Sequence, residues 1–331
     1  MADVRIGDFQ NFKDYLEKRR PSIEESFRNT LSGLLQGPSW NDPPSLRKTL
    51  EAGKKIRGCL TCLINEGLGG DPASSLPRAV AVELVQAATL IHDDFVDQDR
   101  VRGCRPAVWT IEGPRRAILI GDVLFATAIA NMSELSPEDG SAISRAIAQI
   151  AQGALREPLD PARLAQEILA GQMSGRLYNK IIHLKTATLF GTACYLGALA
   201  AEADDQGRRA AYSYGLKIGE AYQIADDLKE MRGHLASKSI NPKQMAALAP
   251  ALLHFTDDMG RLFPEILNGR TSNWVGPVLD CLALAAERME QEITRRLPAA
   301  LSENLSGHKG YVDLITRTPG DIIRMFNENK D

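Results

Sequence analysis

The sequence predicts an all-α fold in the form of a single large helical bundle. Apolar residues recur at helical spacing along most of the 331 residues, as in the runs that start at Val80 and Tyr214. Alanine is abundant, whereas the alternating Val, Ile and Thr that are typical of strands are scarce. Stretches of turn-forming residues separate the helical segments at 36–45, 67–75 and 156–161. Since no long linker divides the chain, we expect one domain over residues 1–331, in which residues 1–20 could lie at the periphery.

The composition is that of an ordinary globular protein and excludes several classes. Hydrophobic residues make up 44% of the chain and charged residues 24%, which excludes a disordered chain, a collagen and a small disulfide scaffold. The chain has 39 Lys and Arg against 42 Asp and Glu, a net charge of −3. A nucleic-acid surface usually shows as a strong basic excess, so we expect no nucleic-acid partner.

The cysteines and the apolar stretches bear on the compartment. Five cysteines are few for this length and indicate a reducing environment. Cys59 and Cys62 form a CxxC without a second pair or spaced histidines, so we interpret them as core thiols on a helix. The first residues lack the apolar core of a signal peptide, and the longest uncharged stretch, 186–201, is too short to span a membrane. We expect a cytoplasmic protein without a membrane span, in which residues 186–201 form a buried helix.

The first of two acidic clusters ends an apolar helix. That helix should begin near Ser75, a plausible N-cap, with Pro77 in its first turn. On a helix, Asp93 and Asp97 project from the same face because they are four residues apart, and Asp94 lies beside them. Like charges stacked in this way destabilise a helix, so the arrangement requires a cation.

The second cluster repeats this spacing with Asp226, Asp227 and Glu230, after an apolar helix that ends near Ala225. Mg²⁺ binds few carboxylates and completes its shell with water and substrate phosphate. Two such faces opposed across a bundle would hold a diphosphate through several Mg²⁺. The alternative for each cluster alone is a solvated acidic face.

Basic residues near the clusters favour a diphosphate ligand. They are Lys54, Lys55 and Arg57 at the start of a helical segment, Arg100, Arg102 and Arg105 after the first cluster, and Lys185 at the start of an apolar helix. Arginine matches phosphate oxygens in bidentate pairs, and lysine adds a point charge.

Together these segments resemble the trans-isoprenyl diphosphate synthases, the polyprenyl synthetase family. The matching elements are Ala52–Arg57 (the family's GGKRxRP segment), Leu90–Asp97 (its first aspartate-rich motif), Gly121–Leu124 (GDxLL), Gly171–Gln172 and Lys185–Thr186 (GQ and KT), and Tyr222–Asp227 (FQxxDD). The resemblance implies the isoprenoid synthase type I fold, a helical bundle around a central apolar cavity. It also implies a homodimer.

The implied activity is a trans-prenyltransferase that condenses an allylic diphosphate with isopentenyl diphosphate. The metal ligands would be Asp93, Asp97, Asp226, Asp227 and Glu230, with Asp94 beside them and about three Mg²⁺ on the bound diphosphate. Lys185 and Arg102 would stabilise the leaving pyrophosphate. Isopentenyl diphosphate would contact Lys54, Lys55, Arg57 and Gln86, and the allylic cation would lie beside Thr186 and Gln223.

The sequence departs from the family pattern on the isopentenyl diphosphate side. Gly103 replaces the second of two paired arginines, for which Arg100 or Arg105 could substitute, and Trp109 replaces a histidine. The acid of the GQxxD element appears as Gly175. These departures leave open a class I terpene synthase, or a prenyltransferase to another acceptor, on the same fold. A third alternative is a catalytically weak partner subunit, against which the intact acids argue.

The residues before the first cluster bear on product length. On a helix, Ala88 lies about 7–8 Å upstream of Asp93, where a bulky residue would close the cavity early, as in short-chain members of the family. Ala88 is small, and Phe125 on the next helix would form a deeper floor. We therefore expect a product near C20, geranylgeranyl diphosphate.

Overall fold

The computed structural model describes residues 9–34, 44–157, 164, 166–168, 170, 176–256, 258–267, 274–299 and 309–328. Helices make up almost all of these residues, which confirms the predicted all-α fold. Within these ranges the only strands are β1 (Val101–Arg102) and β2 (Arg105–Pro106), an antiparallel hairpin that the sequence pattern did not predict.

The helices fall into three groups along the chain. The first group is α1 (Phe12–Leu34), α2 (Pro44–Leu50), α3 (Ile56–Gly67) and α4 (Pro72–Val96). After the hairpin come α5 (Val108–Glu112), α6 (Pro114–Leu135) and α7 (Pro137–Ala154). The third group is α8 (Arg176–Ile181), a π-helical segment (Ile182–Ala187), α9 (Thr188–Ala200), α10 (Asp205–Ser237), α11 (Pro242–Phe255), α12 (Met259–Leu267), α13 (Val275–Ala299) and α14 (Lys309–Glu328).

The helix α9 forms the centre of the bundle. It carries no charged residue, and all its side chains except Tyr195 and Leu199 are buried. A helix that is apolar all round is stable only when its neighbours cover every face. The helices α3, α4, α7 and α10 pack around it. The prediction of a buried helix in this part of the chain is confirmed.

The helix α4 begins earlier than the sequence predicted. Its N-cap is Asp71, whose carboxylate accepts a hydrogen bond from the backbone N–H of Ala73 at 3.0 Å. Ser75 lies inside the helix, where its hydroxyl donates to the carbonyl of Pro72 at 3.0 Å. The predicted N-cap at Ser75 is therefore wrong, because Asp71, four residues upstream, already caps the helix with Pro72 at the first helical position.

The beginning of α1 belongs to the core. Phe12 and Tyr15 are fully buried, and the Tyr15 hydroxyl donates to the Glu66 carboxylate at 3.0 Å. Tyr311 of α14 and Arg19 also donate to Glu66, at 2.6 and 2.8 Å. From Phe12 onward, the segment predicted to be peripheral is thus held between α3 and α14.

The one-domain organisation stays a prediction.

The helix α6 is the one described helix that is long and apolar enough to cross a membrane, judged by length and composition. One face packs against α4 and α7 through residues that include Ala117, Leu124 and Ala128. On the other face, Leu119 and Val123 are exposed. The helix is therefore an element of the bundle with one apolar face left open.

Candidate active site

A cavity of about 1290 Å³ opens between the C-terminal end of α4 and the middle of α10. It brings together most of the residues that the sequence pointed to. The predicted site residues in its wall are Lys54, Lys55, Arg57, Gln86, Asp93, Asp94, Asp97, Arg102, Lys185, Thr186, Gln223, Asp226, Asp227 and Glu230. The two acidic clusters therefore face one space, as predicted.

The first cluster lies at the end of α4, and Asp97 is the C-cap. The negative end of the helix dipole adds to the repulsion among the carboxylates, so this position favours cations. Protein cations supply part of the charge: Arg102 of the hairpin pairs with Asp94. Burial raises the pKa of Asp94, and the Arg102 guanidinium opposes that rise.

The second cluster lies inside α10 rather than at a helix end. The prediction that each cluster ends its helix is wrong here, because Leu228 and Met231 continue the buried stripe of α10 beyond it. Asp226 is accessible from the cavity, yet the surrounding protein removes much of its hydration and raises its pKa. The charges of Lys229 and Arg102 oppose that rise. Arg102 therefore acts on both clusters.

Asp227 has a different environment from Asp226. The Tyr178 hydroxyl donates to its Oδ2 at 2.6 Å, and Nε2 of Gln223 donates to its Oδ1 at 2.9 Å. Burial raises the pKa of Asp227 to about 7, although both hydrogen bonds lower it in part. The Thr186 hydroxyl donates to Oε1 of Gln223 at 2.6 Å, so the predicted cation-lining pair is joined directly to the second cluster.

The π-helical segment places Lys185 between the first cluster and the end of α7. Its ammonium pairs with Glu157 and lies 3.6 Å from Oδ2 of Asp93. Burial alone would lower the pKa of Lys185, but the charges of Glu157 and Asp93 raise it overall. The close approach depends on Gly153, where a Cβ would lie 2.7 Å from the backbone nitrogen of Lys185.

The basic residues before α3 have separate environments. Arg57 lies over the ring of Phe190 at 4.2 Å, and among the described residues its buried Nε has no hydrogen-bond partner. Burial lowers the pKa of Arg57, as it does for Lys54. Lys55 is almost fully buried, and its ammonium donates to the carbonyl of Ala52 at 3.1 Å. Lys55 nevertheless belongs to the cavity wall, and its role toward isopentenyl diphosphate stays a prediction.

Residues 44–241 match the family model for polyprenyl synthetases, and this range contains both clusters and Lys185. The chain belongs to the polyprenyl synthetase family. It is 38% identical over 179 residues to a geranylgeranyl diphosphate synthase of Mycobacterium tuberculosis, which covers 54% of this chain and 50% of that protein. It is 36% identical over 201 residues to a (2E,6E)-farnesyl diphosphate synthase of Mycobacterium bovis, covering 57% and 52%. The chain thus spans about half the length of these curated relatives.

Solved structures share the fold of this polyprenyl synthetase family member. A polyprenyl synthase from Caulobacter crescentus, complexed with calcium and isoprenyl diphosphate, superposes with a TM-score of 0.75 at 22% identity, covering 97% of this chain and 99% of that one. A heptaprenyl diphosphate synthase from Staphylococcus aureus gives 0.75 at 18% identity, covering 93% and 98%. The predicted isoprenoid synthase fold is confirmed.

The structure adds Glu157, which the sequence analysis missed. The GQ element was assigned to Gly171 and Gln172, with Gly175 in place of the family's acid, and these three residues lie outside the described ranges. Glu157 lies four residues after Gly153, which is the spacing from the glycine to the acid in GQxxD. Glu157 contacts Lys185 in the cavity wall and is therefore a further acid of the site, while the assignment of Gly171, Gln172 and Gly175 stays a prediction. The spacing from Gly153 was the signal in the sequence, but it did not indicate the contact with Lys185.

At the hairpin, Gly103 stands where the family has the second of two paired arginines, and Arg100 and Arg105 are the cations on either side of it. Gly103 occupies the hairpin turn with a positive φ of 58°. Arg105 lies in the cavity wall and donates to the carbonyl of Lys48 at 2.5 Å. The Arg100 guanidinium lies 5.6 Å from the ring of Trp109. Of the two predicted substitutes, Arg105 is the one that the cavity wall includes.

A second cavity of about 650 Å³ begins at the first cluster. Its wall is mostly apolar and includes Val96, Phe125, Ile147, Ile150, Ala151, Ala154, Leu155 and Leu164. Five residues line both cavities, namely Thr89, Asp93, Asp97, Ile150 and Glu157. Phe125 lies in its wall as predicted.

Ala88 lies in neither cavity wall. Its side chain is fully buried in the core between α4 and its neighbours. Its sequence neighbour Thr89 lines both cavities instead. The tail geometry predicted from the sequence is therefore corrected by one residue, because distance along a helix does not specify which face a residue occupies.

The oxygen donors of the cavity fit Mg²⁺. Within the described ranges, no three His, Cys, Asp or Glu side chains are already gathered as a metal site. Asp93, Asp97, Asp226 and Glu230 nevertheless reach one cavity, and Mg²⁺ needs only one or two carboxylates when phosphate oxygens and water complete its shell. The donor set is therefore suited to a metal that arrives with a diphosphate.

Proposed function

We propose that this protein is a trans-prenyltransferase that condenses an allylic diphosphate with isopentenyl diphosphate. The observation that carries the proposal is the pair of acidic clusters facing one cavity that adjoins an apolar chamber. A charged head and a long apolar tail are the two parts of a prenyl diphosphate, and the two cavities match them.

Asp93, Asp97, Asp226 and Glu230 are the residues that would hold about three Mg²⁺ with the allylic diphosphate. When bound, these ions withdraw charge from the diphosphate oxygens and assist departure of the leaving group. Lys185 and Arg102 place two further positive charges at the same oxygens. The allylic C–O bond breaks, and pyrophosphate leaves with the electron pair.

Isopentenyl diphosphate binds at Lys54, Arg57 and Gln86. The Arg57 side chain lines the cavity there, and its guanidinium matches the oxygens of a diphosphate. The double bond attacks the allylic cation, which forms the new carbon–carbon bond. Pyrophosphate then removes a proton and restores a double bond. Thr186 and Gln223 lie beside the cation in the first cavity.

The product is proposed to be near C20, geranylgeranyl diphosphate. Relatives at similar identity are named for products of different length, such as geranylgeranyl, farnesyl and geranylfarnesyl diphosphate. The size of the chamber supports a chain of moderate length, because α7 lines it with two isoleucines and two alanines and its boundary includes Phe125.

The protein is further proposed to act as a cytoplasmic homodimer. The open apolar face of α6, which includes Leu119 and Val123, is suited to pairing with a second copy. All five cysteines are free, as a reducing compartment requires. Sedimentation analysis of the wild type and of Leu119→Glu tests the dimer, which the substitution should weaken.

One incubation series tests the activity. The purified protein is given dimethylallyl, geranyl or farnesyl diphosphate, with and without isopentenyl diphosphate and Mg²⁺, and the products are identified by mass spectrometry. Longer diphosphates that require both additions support the proposal. Hydrocarbons formed without isopentenyl diphosphate would instead indicate a terpene synthase, and no turnover would indicate a regulatory partner subunit.

A further inference from the structure

Tyr178 is a buried tyrosine with an unusual placement. It lies on α8, seven residues before Lys185, and its ring packs on those of His254 and Phe255 at 5.5 and 5.6 Å between centroids. Its side chain is buried, yet its hydroxyl reaches the cavity wall and donates to Asp227 at 2.6 Å. Packing fixes the ring, so the hydroxyl is held in place before any substrate arrives.

The contacts of Asp227 form a chain toward the substrate. Tyr178 occupies Oδ2 of Asp227, which leaves Oδ1 to accept from Nε2 of Gln223. This bond determines which way the Gln223 amide points, because a carboxylate can accept only from the NH₂ side. The amide oxygen then faces Thr186, whose hydroxyl donates to it at 2.6 Å.

We propose that Tyr178 is a positioning residue, which acts through Asp227 to aim the amide oxygen of Gln223 at the site of the allylic cation. In this arrangement Asp227 is an anchor for Gln223 and not a metal ligand, and the metal face of α10 consists of Asp226 and Glu230. This inference rests on the proposed function, since the cation exists only if the allylic diphosphate ionises. It revises the metal role that the family resemblance implied for Asp227.

The charges around Asp227 fit this division of roles. Lys54, Lys229, Arg57 and Arg102 act on Asp226. The groups that hold Asp227 are a hydroxyl and an amide, and the charges that act on it are the carboxylates of Asp226 and Glu230. A carboxylate with both oxygens engaged by neutral donors has less capacity left for a metal ion than one that is open to the cavity. Asp226 is the open one.

The first test compares hydroxyl deletions. Tyr178→Phe keeps the ring and its packing, and Tyr195→Phe is the matched control, because Tyr195 donates to Glu138 away from the cavities. We expect Tyr178→Phe to lower kcat by about tenfold with each KM within about twofold, since positioning acts on the transition state. The control should leave both unchanged. An unchanged kcat in Tyr178→Phe would overturn the inference.

A double-substitution cycle separates positioning from general structural loss. In a Gln223→Met background there is no amide to aim, so Tyr178→Phe should cause less than about a twofold further loss. An independent tenfold loss in that background would show that Tyr178 acts by another route and would contradict the proposal.

Binding of Mg²⁺ with pyrophosphate, measured by calorimetry, tests the anchor role without turnover. Asp227→Asn should bind within about threefold of the wild type, whereas Asp226→Asn should lose most of the affinity. Equal losses in both variants would make Asp227 a metal ligand and overturn the inference. Failure of the wild type to elongate any allylic diphosphate would instead remove the proposed function, which keeps the two failures distinct.

Discussion

The first acidic cluster lies at the C-terminal end of α4, whereas the second lies in the interior of α10. In the first, two carboxylates pair with protein cations, Asp94 with Arg102 and Asp93 with Lys185. In the second, Asp227 is held by neutral donors.

The two clusters have the same sequence spacing, but their carboxylates are stabilised in two different ways. The helix end of α4 already carries partial negative charge, so its acids need positive partners. The interior of α10 has no such end, and burial together with hydrogen bonds determines the state of Asp227. Activity should therefore be most sensitive to changes of charge at the first cluster and to changes of geometry at the second.

The largest effect should follow the loss of one cavity-facing carboxylate from each cluster. Asp93→Asn and Asp226→Asn should each lower kcat/KM by about 10³-fold, because each removes a metal ligand. Asp313→Asn, at an exposed position of α14 away from both cavities, is the control. Thermal unfolding should show both variants folded, because neither side chain belongs to the apolar core. Full activity in either variant would contradict the proposal that both clusters hold one metal-bound diphosphate.

Neutralising Glu157 should have the next largest effect. Glu157→Gln leaves the Lys185 ammonium with Asp93 as its near carboxylate, so the ammonium shifts and kcat falls by about 10–100-fold. Glu134→Gln, at an exposed position of α6, should behave as the wild type. Steady-state kinetics compare the two, and equal kcat values would remove Glu157 from the site.

Two neighbouring residues of α4 should respond differently to the same enlargement. Thr89→Phe projects into the chamber and should shorten the product, as mass spectrometry would show. Ala88→Phe overpacks the core and should destabilise the fold by about 1–3 kcal/mol, measured by denaturant unfolding. A shorter product from a stable Ala88→Phe would restore the geometry expected from the sequence.

The smallest effect is a pH dependence of stability from Asp227. Its pKa of about 7 in the folded protein lies above its ordinary value of 3.8, so the folded state binds the proton more tightly. Without metal, the free energy of unfolding should therefore fall as the pH rises from 3.8 to 7, by the order of 1 kcal/mol after screening by cavity water. Asp227→Asn should make this part of the profile, measured by chemical denaturation, less steep, and the remaining slope comes from other acids with raised pKa values such as Asp94 and Asp226. An equally steep fall in the variant would assign the effect elsewhere.

The sequence predicted the helical fold and both clusters because each depends on local spacing. The period of apolar residues indicates a helix, and acids four residues apart share a face. It did not predict that the second cluster would lie inside a helix, because Leu228 and Met231 prolong α10 by packing in the core.

Other features depended on contacts between distant segments. Glu157 meets Lys185 across 28 residues of chain, and the Tyr178 hydroxyl meets Asp227 across 49. Sequence spacing alone does not specify such pairs. The Lys55 ammonium lies 4.3 Å from the ring of Phe27 on α1, which is another contact between distant segments.

The binding of an allylic thiolodiphosphate, whose C–S bond resists ionisation, tests the central claim that both clusters hold one metal-bound diphosphate. Calorimetry would measure its affinity for the wild type, Asp93→Asn and Asp226→Asn, with and without Mg²⁺. The account predicts tight binding that requires Mg²⁺ and is lost in both variants. Binding that is independent of Mg²⁺, or that survives in either variant, would contradict it.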